Sequence, residues 1–288
     1  MSTFQPGIFD KRFREQVFLE YISQDSDTVR QAIESLLALR TQYRDNAVVT
    51  LAFGPALWRQ LGGDVDFDAF SLDGRINETQ ADLLVWVQAV DRSTVFDVAR
   101  AAHQTLGQAF RQQLEISAFV YHDLRDLTGF VDGIGNPAGD KARLAALVPD
   151  GQPGAGGSFV LTQKWVHNLA AFEQLPVSEQ ENVFGRTKAD AVEFDEERMP
   201  NDSHVGRTDV DRDGVPQKIW RRSVPYGGTL EHGSYFVAFC CEQSRLDYLL
   251  RRMFAMNDDK VQDRLTEFST PVNSSYWYAP TEEALAAL

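Results

Sequence analysis

The chain is poor in cysteine. Its 288 residues contain two, Cys240 and Cys241, side by side in an apolar run. Neighbouring cysteines rarely bridge each other, because the geometry a disulfide needs strains the backbone between them. They are read as two buried thiols of a reducing compartment, and a disulfide framework is excluded. Long apolar runs are also missing. No stretch approaches the roughly 18 consecutive apolar residues of a membrane span. Residues 1–13 hold neither an apolar leader nor paired arginines, so the expected location is the cytoplasm. Positive charge is scarce: 28 Lys and Arg against 42 Asp and Glu give a formal net charge of −14. A general nucleic-acid binder would carry a basic face, whereas this balance favours small neutral or cationic partners. The five histidines, His103, His122, His167, His204 and His232, are scattered, with neither H-E-x-x-H nor zinc-like spacing.

What is present reads as an ordinary globular protein, 43% hydrophobic and 24% charged. The length suits two domains of roughly 140 residues each. Strand character appears at residues 16–22, 47–53, 81–90 and 116–121. Helical spacing appears at 28–39, with Ser26 as N-cap, at 55–61 and at 93–110. The glycine-rich stretch 151–157 (GQPGAGG) is the best boundary. Beyond it, strands are expected at 158–166 and 234–241, and helices at 179–184 and 243–256. The last carries Leu246, Leu249, Leu250 and Met253 on one side. Short strands separated by helices, twice over, predict an α+β chain with antiparallel sheets, divided at 1–150 and 151–288.

Four segments are candidates for chemistry. Residues 125–137 (RDLTGFVDGIGNP) set Gly129, Gly133 and Gly135 around Asp132. Either a backbone approaches a flat or anionic ligand there, with Asp132 aimed at it, or the segment is a glycine-rich surface turn. Its glycine spacing fails the dinucleotide pattern. His204 sits in a polar stretch (NDSHVGRTD), which favours function over core packing. Residues 209–214 (DVDRDG) imitate the opening of a calcium loop, but Trp220 stands where the closing glutamate belongs, so a solvated acidic turn is expected. Arg221 and Arg222 read as surface charge, since an inward-facing arginine is costly unless it meets an anion.

Taken together, these segments resemble the dye-decolorizing peroxidase family. The stretch YHDLRDLTGFVDGIGNP contains the family's G-x-x-D-G at 129–133. The segments GRTK (185–188), NDSHVGR (201–207) and RRSVPYG (221–227) follow in the family's order, and QPGI (5–8) and FGPALW (53–58) precede them. The length and the lack of an export signal resemble the compact bacterial P/B-type subgroup.

The resemblance implies two tandem ferredoxin-like units of the dimeric α+β barrel type, with haem in the second. It implies a haem b peroxidase that uses hydrogen peroxide to oxidise dyes, phenols or other small electron donors, assembled as a homo-oligomer. Without a C-x-x-C-H motif the haem is non-covalent. In role, His204 resembles the axial iron ligand, Asp263 (in DRLTEF) the carboxylate behind it, Asp132 the distal carboxylate, Arg221 its partner and Arg186 the propionate-pairing arginine. Gly133, Gly135, Asn136 and Ser223 complete the implied cofactor environment. Ser223 stands where close relatives often have asparagine, and its shorter side chain leaves room for a water. The alternative class is a haem-handling protein for storage, transfer or iron removal. A surface aromatic relay for bulky donors has one candidate, Tyr276–Trp277–Tyr278, with core or interface packing as its other reading.

Overall fold

The computed structural model describes residues 3–288. Its strands are β1 (Glu15–Ser23), β2 (Ala47–Phe53), β3 (Leu83–Ala89), β4 (Phe110–Phe119), β5 (Ser158–His167), β6 (Asp211–Arg212), β7 (Val215–Pro216), β8 (Trp220–Arg221), β9 (Val224–Gly227), β10 (His232–Cys240) and β11 (Ser269–Ala279). The main sheet runs β5-β11-β2-β3-β1-β4-β9-β10-β8, and β10 also pairs with β5, so eight strands close into a barrel, with β8 continuing β9 along the same edge of β10. Every pairing is antiparallel. Half of the barrel has the order β2-β3-β1-β4 and the other half β11-β5-β10-β9. Each is the strand order of a ferredoxin-like β-α-β-β-α-β unit. The halves meet at two narrow seams, Tyr278 opposite Phe53 and Ala118 opposite Tyr226.

Alternation along each strand sends successive side chains to opposite faces. Phe18, Trp86, Val160, Tyr235, Val237, Phe239 and Trp277 fill the barrel interior. On the outside of the first half, Val17, Leu19, Val85 and Val87 pack beneath helices Ser26–Tyr43 and Arg92–Leu106. The second of these helices shows why the sequence folds this way. Val95, Val98, Ala99, Ala102 and Leu106 recur at one face, and Asp91 caps the start by accepting the Thr94 N–H at 2.9 Å. Each fully buried aliphatic side chain contributes about 1.5–3 kcal/mol. The second half has a single 11-residue helix, Gln243–Met253, over the corresponding face. Part of that outer face of β5 and β10 packs beneath the helix, and part borders a cavity.

Several expectations shift by a few residues. The first helix is capped by Asp25, which accepts the Asp27 N–H, and Ser26 is its first helical residue. The expected helix 93–110 ends at Leu106, and Phe110 already begins β4. The expected helix 243–256 ends at Met253. Residues 209–214 hold the turn of a small hairpin, β6–β7, as expected of a solvated acidic turn. The 151–157 stretch is a tight turn against β11, where the Tyr278 hydroxyl donates to Gly154 O at 2.6 Å. Strand β11 itself was not anticipated. It buries Tyr276, Trp277 and Tyr278 at 3%, 0% and 1% exposure, so the packing reading of that aromatic trio holds and the surface relay does not. Among the described residues, no helix is long and apolar enough to cross a membrane.

Candidate functional site

The cavity beside β5, β10 and helix Gln243–Met253 encloses about 1360 Å³ of empty space, its mouth included. Its apolar wall includes Leu161, Phe236, Leu246, Leu249, Leu250 and Met253, and its polar wall includes Asp132, Arg186, His204, Arg221 and Ser223. With Gly135, six of the site residues expected from the sequence therefore border one space.

His204 opens the short helix His204–Thr208. Ser203 caps that helix, its Oγ accepting the Gly206 N–H at 3.1 Å and donating to Pro200 O at 2.7 Å. The helix is bolted to its neighbour. Arg207, 2% exposed, donates to both oxygens of Asp259 at 2.7 and 3.0 Å and to Arg252 O. Nδ1 of His204 lies 2.7 Å from Asp263 Oδ2. A carboxylate oxygen can only accept there, so Nδ1 carries the proton and Nε2 is left with its lone pair for a ligand. Asp263 is fully buried, and its Oδ1 accepts the Leu265 N–H at 2.9 Å.

Asp132 lies on the loop 125–137. Its backbone N–H donates to Leu124 O at 2.8 Å. Its Oδ1 accepts the Gly133 N–H at 2.6 Å, and Oδ2 has no hydrogen-bond partner among the described residues. Arg125 braces the loop by donating to Gly129 O and Lys188 O at 2.7 and 2.8 Å. Asn136 does not line the cavity. It clamps Arg221 from behind, Nδ2 donating to Arg221 O and Oδ1 accepting from Arg221 N, both at 2.9 Å. Gly133 also stands outside the lining, whereas Gly135 belongs to it. A Cβ on Gly135 would sit 3.4 Å from an Arg221 guanidinium nitrogen, an ordinary contact that places this side chain beside the loop. The Oγ of Ser223 accepts the Val237 N–H at a long 3.4 Å.

Both cavity arginines are incompletely satisfied. Arg186 donates to Val131 O at 2.7 Å, but its Nε is buried without a partner among the described residues, as is the Nε of Arg221. Burial lowers the pKa of Arg186. Asp132 and Glu193 oppose that shift, and the charge of Arg221 adds to it. A buried N–H left unmade costs about 1–3 kcal/mol, more when charged. Two such groups on one wall suit an anionic ligand that would take them up. An imidazole nitrogen with a free lone pair, an apolar wall and two unsatisfied guanidinium groups together fit a planar macrocycle bearing carboxylates.

The paired-arginine segment departs from its surface reading. Arg221 borders the cavity, and Arg222 is 7% exposed and faces the other way. Sequence reasoning also missed a second histidine–carboxylate pair on the cavity wall. His167 Nε2 lies 3.1 Å from Asp126 Oδ2, and His167 Nδ1 lies 2.7 Å from Ser269 Oγ. Burial pushes the Asp126 carboxyl up, but hydrogen bonding and charge from His167, with two bonds from Thr128, outweigh it and hold the carboxyl at about 2. The partners are 41 residues apart, and no spacing signal joins them.

The whole-chain comparison agrees with this geometry. Residues 11–120 match the N-terminal model of Dyp-type peroxidases, and residues 123–284 match the C-terminal one. The chain belongs to the dye-decolorizing peroxidase family. It is 37% identical to the dye-decolorizing peroxidase of Mycobacterium tuberculosis and 36% identical to that of Rhodococcus erythropolis, each over 211 residues and 72% of this chain. Those matches span 63% and 62% of the relatives' own length. Among solved structures, the dye-decolorizing protein from V. cholerae superposes with a TM-score of 0.89 at 32% identity, covering 98% of both chains. A Rhodococcus jostii DypB variant in complex with heme gives 0.89 at 30%, covering 99% of this chain and 98% of that one. This family's barrel is the one described above.

Proposed function

We propose that this chain is a peroxidase that holds one non-covalent haem b through His204, with Arg186 pairing a haem propionate, and that it uses hydrogen peroxide to oxidise small-molecule electron donors. The observation that carries this reading is the shared cavity, where a histidine backed by a buried carboxylate borders the same space as Asp132 and two arginines with unpaired Nε atoms. When bound, haem would supply the iron that takes peroxide as a ligand and the electrons that break its O–O bond.

The chain's own residues do the rest. Asp263 accepts the Nδ1 proton of His204, fixing its tautomer and making Nε2 a more electron-rich donor. Asp132 accepts a proton at Oδ2 from the near oxygen of peroxide and returns it to the far one, which leaves as water. Arg221 keeps its proton and holds a fixed positive charge where negative charge develops. Ser223 leaves room for an ordered water beside them. The apolar wall excludes bulk solvent, which strengthens each of these interactions. We further assign the chain to the cytoplasm, as a homo-oligomer, on the strength of two free buried thiols and the family assignment.

The test is haem titration of the purified protein, followed by steady-state dye oxidation with peroxide. One haem should bind, with a histidine-ligated spectrum, and dye should turn over. Asp132→Asn should slow peroxide cleavage about 10²–10⁴-fold, and Arg221→Leu about 10²–10³-fold. Near-normal cleavage by Asp132→Asn together with failure of Arg221→Leu would move the proton step to ordered water. Tight haem binding with no dye turnover would favour a haem-handling protein.

A further inference from the structure

Nothing at the side-chain level holds Arg221 in place. It makes no ion pair among the described residues, and its Nε is unpartnered. Its pose must come from its backbone. Strand β8 is only two residues long, registered with Phe239 opposite Trp220 and Ala238 opposite Arg221. Alternation turns Arg221 to the cavity and both neighbours to the other face. There they meet residues 5–10.

Trp220 Nε1 donates to Ile8 O at 2.8 Å. Arg222 donates to Gly7 O at 2.9 Å, to Ile8 O at 3.0 Å and to Asp10 O at 2.6 Å. Its guanidinium also lies over the Trp86 ring, 5.1 Å from the centroid. Burial lowers the pKa of Arg222 to about 10, and the Asp10 charge opposes that only in part. A charge buried this way is tolerated only where acceptors converge on it. Here the acceptors are main-chain carbonyls of the QPGI segment and the residues just after it. That segment is itself immobilised. Gln5, 0% exposed, donates to Leu51 O at 2.8 Å and Pro280 O at 2.9 Å, and accepts the Leu51 N–H at 2.8 Å. A Cβ on Gly7 would come within 2.0 Å of Thr50 Oγ1, so only glycine allows the segment to lie this close on β2.

We propose that residues 5–10 position Arg221: their carbonyls grip Trp220 and Arg222 on either side, while Asn136 grips Arg221 itself from the opposite loop. This inference rests on reading Arg221 as the fixed cation beside the haem iron. Gln5, Gly7, Trp220 and Arg222 are positioning residues and touch neither haem nor substrate.

Fluoride affinity of the haem-loaded ferric protein tests it, because a small anion on the iron is stabilised by a correctly placed guanidinium and no turnover is needed. Arg221→Leu should weaken fluoride binding about 10- to 100-fold, the worth of one hydrogen bond to a charged group. Trp220→Phe combined with Arg222→Gln, measured well below its melting temperature, should weaken it about tenfold or more, and should add nothing in the Arg221→Leu background. Unchanged affinity, or an equal loss in both backgrounds, overturns the proposal. If Arg221→Leu itself leaves fluoride binding unchanged, the reading of Arg221 fails, and the proposal with it. Should the combined variant not fold, Trp220→Phe alone suffices, since it keeps a ring against Phe9 and removes one N–H donor. A loss of about two- to fivefold that vanishes in the Arg221→Leu background supports the proposal, and no loss overturns it.

Discussion

The buried Asp263 carboxylate faces Nδ1 of His204 at 2.7 Å across 59 residues of sequence, and its second oxygen is taken by the Leu265 N–H at 2.9 Å. Both oxygens are committed, so the imidazole is held in one orientation. His204→Ala should abolish tight haem binding, because no cysteine lies near enough to substitute. Asp263→Asn should weaken haem affinity about 10- to 100-fold while leaving the fold intact. Haem titration followed by absorption checks both. A normal histidine-ligated spectrum in His204→Ala would transfer the ligand role to another histidine.

Asp126 gives a pH dependence with a definite sign. Its folded pKa, about 2, lies below the unfolded 3.8. Its contribution to stability is therefore present above the unfolded value and lost as pH falls through the folded one. The difference of nearly two units corresponds to about 2 kcal/mol. Asp126→Asn should cost about that much in urea unfolding at pH 6, and roughly half as much at pH 3. A difference between the two proteins that stays constant over this range contradicts the assignment.

Glu20 behaves in the opposite sense. Fully buried in the barrel, it accepts the Tyr235 hydroxyl at 2.5 Å and the Asn273 Nδ2–H at 3.0 Å. Burial pushes its pKa up. The stability its carboxyl contributes is then full below its unfolded pKa and declines as pH rises towards the folded value. Asn273 Oδ1 has no partner, and turning that amide over would offer an acceptor for the proton of the neutral acid. Glu20→Gln should fold normally and gain stability relative to the native protein as pH rises from about 4.5. Melting temperatures at pH 5 and pH 8 decide it, and an unchanged gap sinks the idea.

The net charge of −14 makes a prediction about donors. At low salt a cationic dye should be oxidised with higher kcat/KM than an anionic one of similar potential. The ratio should fall as the Debye length shrinks from about 30 Å at 0.01 M to about 10 Å at 0.1 M. A ratio indifferent to salt would place donor choice in the cavity mouth alone.

Much of the fold was legible, because β10 is apolar on both faces over most of its length and the helix Arg92–Leu106 keeps a strict period. What escaped has physical reasons. β11 opens with Ser269, Thr270 and Asn273 to Ser275, polar residues that read as loop, yet Ser274 and Ser275 are fully buried. Gln163 donates to the hydroxyl of Ser274 at 3.0 Å, a bond between strands that hydropathy cannot register. β8 is too short for any period to show. Arg222 read as surface charge because its acceptors are carbonyls more than 210 residues upstream. At the site, the order of motifs pointed to His204, Asp132 and Arg221, but the His167–Asp126 pair had no signal, since its members come from a strand end and a loop that meet only in the folded chain.

The closure of the barrel also bears on biosynthesis. β11 leaves the ribosome after the other seven strands of the ring, and it lies between β5 and β2, bridging the two halves. Until it emerges, β5 has an unpaired edge and the ring stays open, even though its other seven strands are already out. Unpaired edges invite pairing with other chains. The nascent protein therefore depends on β11 for protection against aggregation, and a ribosome stalled before residue 269 would release a seven-stranded ring left open along β5.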